Sequence, residues 1–465
     1  MAKSIELPLV GAVTTEEIRE TYNQLKQEGK KGVFIQTLGC QMNEHDTEKM
    51  LGLLKTLDYE PVQSILAADL ILYNTCAVRE NPERKLYGQI NTLKQLKEQR
   101  PELIIGICGC MTQQSTALQR MQEELSHVDL IFGTHNIHRL PELVHRVEAG
   151  ERIVEVWSEE GPVVEDLPVE RASAVKAYVT IMYGCNQFCT YCIVPYVRGK
   201  ERSRQLQDIV REVEALTATG YKEIMLLGQN VNNYGKDLAE DITFARLLYA
   251  LDDIPGIGRI RFTSPHPKYF SRDVIQALAE CSSVCEHVHL PIQAGNDRVL
   301  RRMGRRYTRA QYIDLVAQMR QAVPNLAVTT DLIVGFPGET EAEFQDTLSI
   351  VTEVGFDSSF MFIYSPRPGT PAAKLPDQID EETKRDRIHR LIEVQNKVSL
   401  QRNATYVGNE YEVLVDGLGK EPGLVAGRTR TGKLVTFAAA PDVVGQLVQV
   451  RINKANTWSL EGEQC

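Results

Sequence analysis

Two hydrophobic patterns alternate along the first third of the chain. Short apolar runs, "GVFIQTLGC", "ADLILYNTC" and "ELIIGICGC", are separated by stretches of helical period such as "NEHDTEKMLGLLKTL" and "ERKLYGQINTLKQLKEQ". Apolar strands alternating with amphipathic helices predict parallel βαβ units and an open parallel α/β domain over residues 31–150. A polar helical extension is expected over 1–30. Residues 151–175, rich in Glu, Val and Pro without a clear period, read as a linker.

A second series spans residues 176–403. Its apolar runs are "KAYVTIMYGC", "EIMLLGQNV", "RIRFTSPHP", "HVHLPIQAG", "VTTDLIVGFPG" and "SSFMFIYSPRPG", with helical segments between them. Six β/α units exceed a small flavodoxin-like domain and fall short of an eight-fold barrel, so a central partial (β/α)6 barrel is expected. From 404 to 465 the pattern changes to strict alternation, β-branched residues and Gly-rich turns. That predicts a small antiparallel β-barrel on an otherwise α/β chain.

Composition narrows the setting. The chain has 465 residues, 43% hydrophobic and 25% charged, enough for several globular domains. A formal net charge of −10 argues against a general nucleic-acid coat but leaves room for a local basic groove. The N-terminal sequence lacks a signal-peptide core, and no apolar run approaches the ~20 residues of a membrane span. A cytoplasmic location is therefore expected. There, the ten cysteines are more often metal ligands or redox groups than disulfides.

Three of them stand in "MYGCNQFCTYCIVPYVRGKERSR": Cys185, Cys189 and Cys192. Zinc normally takes four ligands, and no fourth Cys or His stands nearby. A cubane of four irons and four sulfides is normally held by four thiolates, so three leave one iron open to a substrate or cofactor. The loop follows the first strand of the barrel series, where such folds place their chemistry. Cys40, Cys76 and Cys110 each end an apolar run of the first series. If those runs are adjacent parallel strands, the three thiols converge at one sheet edge; buried free cysteines are the competing reading. By strand alternation Cys108 points the same way as Cys110. "CSSVC" (Cys281 and Cys285) follows a helix and reads as structural.

The C-x3-C-x-aromatic-C loop after a first strand resembles the radical S-adenosylmethionine superfamily. The three-domain order, with the three N-terminal cysteines, resembles its methylthiotransferases, whose last domain, TRAM, binds RNA. That resemblance implies two 4Fe-4S clusters, one on Cys40, Cys76 and Cys110 and one on Cys185, Cys189 and Cys192. It favours Cys110 over Cys108. It also implies S-adenosylmethionine as both methyl donor and radical source, and an electron donor such as flavodoxin or ferredoxin. Cofactor contacts are implied at Tyr191, Gly228, Gln229, Asn230, Ser264, Gln293, Arg305 and Asp331, at or beyond strand ends.

"CNQFCTYCIVPYVRGKERSR", "LLGQNVNNYG" and "YSPRPGTPAA" are most similar to the branch that modifies isopentenylated adenosine beside the tRNA anticodon. A sister branch acts on threonylcarbamoyl-adenosine; a non-catalytic iron–sulfur RNA-binding protein is the alternative from another class. The implied reaction methylates a sulfur on the N-terminal cluster, then uses a radical to remove hydrogen from C2 of the adenine and install the methylthio group. Two basic runs are expected to meet the anticodon stem-loop: Arg198, Lys200, Arg202 and Arg204, then Arg301, Arg302 and Arg306 with Arg305 and Arg309. The protein is expected to be a monomer.

Overall fold

A computed structural model describes residues 14–77, 80–161, 163–239 and 241–465. Most of the expected N-terminal extension, 1–13, lies outside them. The chain divides into two compact units. One holds the described residues up to Ala172 with Tyr183–Asn186 and Cys192–Glu201. The other holds Ser173–Met182, Gln187–Tyr191 and Arg202–Cys465.

The first unit is built on six strands: β1 (Lys31–Thr37), β2 (Tyr59–Pro61), β3 (Leu70–Thr75), β4 (Ile104–Gly109), β5 (Leu130–Phe132) and β6 (Ile153–Glu155). All neighbours are parallel, in the order β2-β1-β3-β4-β5-β6. Every residue of β3 and β4 is buried, as in a sheet covered on both faces. Its longer helices are α1 (Thr15–Gln27), α2 (Gln41–Lys55), α3 (Glu80–Gln99), α4 (Ser115–Glu124) and α5 (Leu140–Glu148). Thr14 and Glu17 form a capping box at the start of α1. The expected linker is largely part of this unit. β6 completes the sheet, and the Glu170 amide donates to the Glu48 carbonyl on α2 at 3.0 Å.

The second unit contains the six expected barrel strands, Lys176–Thr180, Glu223–Leu227, Arg259–Phe262, His287–His289, Ala327–Val334 and Ser358–Ile363. They form two parallel three-stranded sheets, and an isolated parallel bridge, Ile260 to Val284, reaches from the third strand toward the fourth. Helices including Leu206–Ala218, Phe244–Asp252, Arg309–Ala322 and Glu341–Val354 pack one apolar core against them.

After the helix Glu381–Ala404, five strands close a barrel: Glu410–Leu418, Leu424–Thr429, Leu434–Ala438, Leu447–Ala455 and Leu460–Gln464. The barrel is not wholly antiparallel, because Leu434–Ala438 and Leu460–Gln464 pair in parallel. An odd number of strands in a closed ring cannot alternate direction all the way round, so at least one pair must be parallel.

Candidate functional site

Because β1, β3 and β4 are parallel neighbours, the residues after them share one edge of the sheet. Strand order reverses between β1 and β3, where open α/β sheets form their binding crevice. Cys40 is the N-cap of α2, and Asn43 stands three residues further on. Asn43 is fully buried. Its Nδ2 donates to the carbonyls of Leu38 at 2.8 Å and Thr75 at 2.9 Å, just ahead of Cys40 and Cys76. Those bonds orient the amide, whose Oδ1 lies 3.9 Å from Cys40 Sγ and 3.8 Å from Cys110 Sγ. Cys76 joins them: a Cβ on Gly39 would lie 2.7 Å from Cys76 Cβ and 3.0 Å from its Sγ. Gly39 has φ +119°, so both conformation and space require glycine.

Cys110 follows Gly109, whose φ of +95° takes the chain out of strand geometry. Alternation therefore does not carry through to Cys110, and the expectation that Cys108 and Cys110 point alike fails. Cys108 Sγ lies 3.6 Å from Met50 Sδ, in the core on the α2 and α5 face. Cys110 is packed with Ala77, Ile193 and Val197. Burial pushes its thiol up to about 12, against the pull of Arg198. Arg198 Nε is 3.1 Å from Cys110 Sγ, and its Nη2 donates to Asn43 Oδ1 at 2.8 Å and pairs with Asp46 Oδ2 at 2.6 Å. Arg198 is thus an interior residue, not the exposed cation that its charge run suggested.

The stretch carrying Cys185 and Cys192 is tied to itself. Cys185 N donates to Gly199 O at 3.1 Å, and Asn186 and Glu201 exchange side-chain-to-backbone bonds of 3.2 Å each. In the second unit, Thr190 N donates to Met303 O at 2.9 Å and Thr190 Oγ1 to Arg302 O at 2.8 Å. Beside it, Arg305 is buried, donating to Tyr307 Oη at 2.8 Å and Pro291 O at 2.9 Å, with Nη1 3.5 Å from Cys189 Sγ. A buried guanidinium therefore touches one cysteine of each predicted set, each within its own unit.

Tyr191 is half-buried against the barrel core. Gly228 directly follows the second strand, and a Cβ there would lie 2.7 Å from Met182 Cγ. Gln229 is half-buried and Asn230 buried. Ser264 and Gln293 have φ +61° and +79°, a conformation that costs a non-glycine residue ~1–3 kcal/mol and concentrates at functional sites. Gln293 N donates to Asp331 O at 2.9 Å. Asp331 lies inside its strand rather than at its end, and its Oδ1 is 3.4 Å from His289 Nε2.

The sequence reading passed over Asn43, Asp46, Asn232 and His266. Asn232 exchanges two bonds with the backbone of His266, 2.9 and 2.8 Å, joining the loops after the second and third strands. Burial, then Arg305, pushes the His266 imidazole down to about 2, so it is neutral. Asn232 was within reach of reading, because it belongs to the "GQNVN" stretch already singled out.

The basic runs divide by environment. Arg204 is buried, with Nη1 donating to Thr180 O at 2.8 Å and Glu212 at 2.6 Å. Arg202 is half-buried. Arg302 pairs with Asp377 at 2.8 Å, and Arg309 donates to Gly295 O at 3.0 Å. Lys200, Arg301 and Arg306 are exposed. Among the described residues no three His, Cys, Asp or Glu side chains form a single-ion site. A cubane binds its thiolates through different irons, so its cysteines surround a volume rather than a point. The all-sulfur donor set around Asn43 fits that group. No helix among the described residues is long and apolar enough to cross a membrane.

Comparison with known proteins adds independent findings. Residues 179–351 match the Radical SAM superfamily, 32–133 match Uncharacterized protein family UPF0004, and 404–464 match the TRAM domain. The chain is 51% identical over 451 residues to the tRNA-2-methylthio-N(6)-dimethylallyladenosine synthase of Acetivibrio thermocellus, covering 96% of this chain and 94% of that one. It is 53% identical to the protein of the same name from Desulforamulus reducens, covering 92% and 94%. Among solved structures, the radical S-adenosylmethionine methyltransferase TsrM from Kitasatospora setae, with cobalamin and a 4Fe-4S cluster bound, superposes with TM-score 0.54. The two are 13% identical, with 85% of this chain and 77% of that chain covered, a likeness of fold.

Proposed function

We proceed from the family to which the chain belongs, the tRNA-2-methylthio-N(6)-dimethylallyladenosine synthases, and infer how its own residues serve that reaction. The protein is a radical S-adenosylmethionine enzyme that transfers a methylthio group to tRNA, at C2 of N(6)-isopentenyladenosine beside the anticodon. It uses iron–sulfur and S-adenosylmethionine. The observation that carries the two-cluster reading is the gathering of Cys40, Cys76 and Cys110 about Asn43, separate in sequence from the C-x3-C-x2-C loop.

In this reading Cys40, Cys76 and Cys110 hold one 4Fe-4S cluster, and Cys185, Cys189 and Cys192 hold another. When bound, clusters with an open iron supply an electron and a coordination place for cofactor or sulfur, the reactivity that an unactivated aromatic C–H requires. Around them the protein binds and orients. Asn43 fixes the loops before Cys40 and Cys76. Arg305 holds positive charge against Cys189. Tyr191 would bind the cofactor adenine. With no side chain, Gly228 would let the backbone at Gln229 and Asn230 approach the methionine end of S-adenosylmethionine, and Ser264, Gln293 and Asp331 would bind its ribose or carboxylate. The target base leaves its stack to reach the site. Exposed Lys200, Arg301 and Arg306 meet phosphates of the anticodon stem-loop. The protein works in the cytoplasm as a monomer and receives electrons from a flavodoxin or ferredoxin.

Nucleoside mass spectrometry of tRNA from a deletion strain tests the substrate: isopentenyladenosine should accumulate without its methylthio form. Persistence of the methylthio form would refute the assignment. Iron analysis after anaerobic reconstitution should give about eight irons per chain; about four would remove the second cluster.

A further inference from the structure

We propose that Arg198 sets the reduction potential of the N-terminal cluster by donating a hydrogen bond and positive charge to the Cys110 thiolate. The inference rests on the reading that Cys40, Cys76 and Cys110 hold a cluster.

The geometry is specific. Arg198 is 5% exposed, and Nε lies 3.1 Å from Cys110 Sγ. Its orientation is fixed from the other side by Asn43 Oδ1 at 2.8 Å and Asp46 Oδ2 at 2.6 Å. Asn43 is itself held by two backbone carbonyls, so the fork cannot swing freely. Ala77, Ile193 and Val197 pack with Cys110 and keep the surroundings apolar, where charge acts strongly. A surface tRNA contact would need none of these partners.

Hydrogen bonds and charge at cluster sulfurs tune potential. Reduction adds one electron to the cluster, and a fixed cation beside a ligand sulfur stabilises that added charge. Arg198 therefore raises the potential, and Asp46, its counter-ion, moderates the effect. The placement also links two tasks in one segment: Cys192 and Arg198 lie six residues apart in the same stretch, Cys192–Glu201. That stretch supplies a ligand to one predicted cluster and a charge to the other. Arg198 acts through Cys110 and is a positioning residue, not a catalytic one.

The test is an EPR-monitored redox titration of reconstituted full-length protein. The N-terminal signal is identified as the one that survives replacement of Cys185, Cys189 and Cys192 by alanine. Arg198→Met should shift the reduction equilibrium of that signal at least tenfold toward the oxidised form, about 59 mV for one electron. Arg198→Lys should shift it less. Asp46→Asn should shift it the opposite way, because the guanidinium then keeps its bond to Cys110 without its counter-charge. A merely structural residue would not give shifts of opposite sign. Unchanged potentials with full iron, or shifts of the same sign in Arg198→Met and Asp46→Asn, would overturn the inference. If Arg198→Met loses iron, Arg198→Lys and Asp46→Asn decide by the same readout. Wild-type protein with about four irons would instead sink the two-cluster reading beneath it.

Discussion

Asn43 offers the sharpest test of how the N-terminal cysteines are assembled. Its Nδ2 makes two bonds to buried backbone carbonyls, and its Oδ1 accepts from the Arg198 guanidinium. A neutral bond contributes about 1 kcal/mol and a charge-assisted one about 1.5–3, and buried partners left unsatisfied add to the loss. Asn43→Ala should therefore destabilise the first unit by about 3–5 kcal/mol. Asn43→Asp is the more revealing change. It keeps the acceptor facing Arg198 but turns the donor into a second carboxylate oxygen facing two carbonyls, so it should be no better than alanine. The chain has two tryptophans. In a Trp458→Phe background, fluorescence of Trp157 in the first unit reports its urea unfolding. Both variants should also lose the iron assigned to this site while keeping about four per chain. Wild-type stability and iron content in Asn43→Asp would refute the reasoning.

Three further outcomes are expected. His266 is held neutral in the folded protein, its imidazole pushed from 6.5 to about 2 by burial and then by Arg305. The unfolded chain takes up a proton that the folded one refuses, so this contribution is full above 6.5 and falls as pH drops toward 2, by up to about 1.4 kcal/mol per pH unit. His266→Asn should flatten that part of the acid limb in apo-protein denaturation. Arg259 is fully buried and donates to Arg428 O at 2.6 Å and Glu412 Oε1 at 2.9 Å. Arg259→Met should loosen the C-terminal barrel and open 404–410 to limited proteolysis, at a cost of about 3–5 kcal/mol. Replacing Lys200, Arg301 and Arg306 together by Glu should weaken tRNA binding and its salt dependence while leaving uncoupled S-adenosylmethionine cleavage intact, measured as 5′-deoxyadenosine.

Strand and helix periods were legible because they depend on local alternation. All six barrel strands and the strands that lead into Cys40, Cys76 and Cys110 could be read from apolar runs and their spacing. The C-x3-C-x2-C loop was equally plain, because its ligands are neighbours in sequence. Side-chain direction past Cys108 was not, since one glycine at positive φ ended the alternation that the reading relied on. Nor was β6, three residues long and too short to carry a period.

The fate of the arginines marks the boundary between the two kinds of information. In "VRGKERSR" the sequence determines that four cations follow the cysteine loop, and nothing in their spacing separates one from another. Tertiary structure decides that Arg198 meets Asp46 and Cys110, that Arg204 meets Glu212, and that Lys200 stays in solvent. Asp46 and Cys110 are 152 and 88 residues away from Arg198 in the chain. A charge announces itself locally, but whether it is buried depends on partners that only folding brings near.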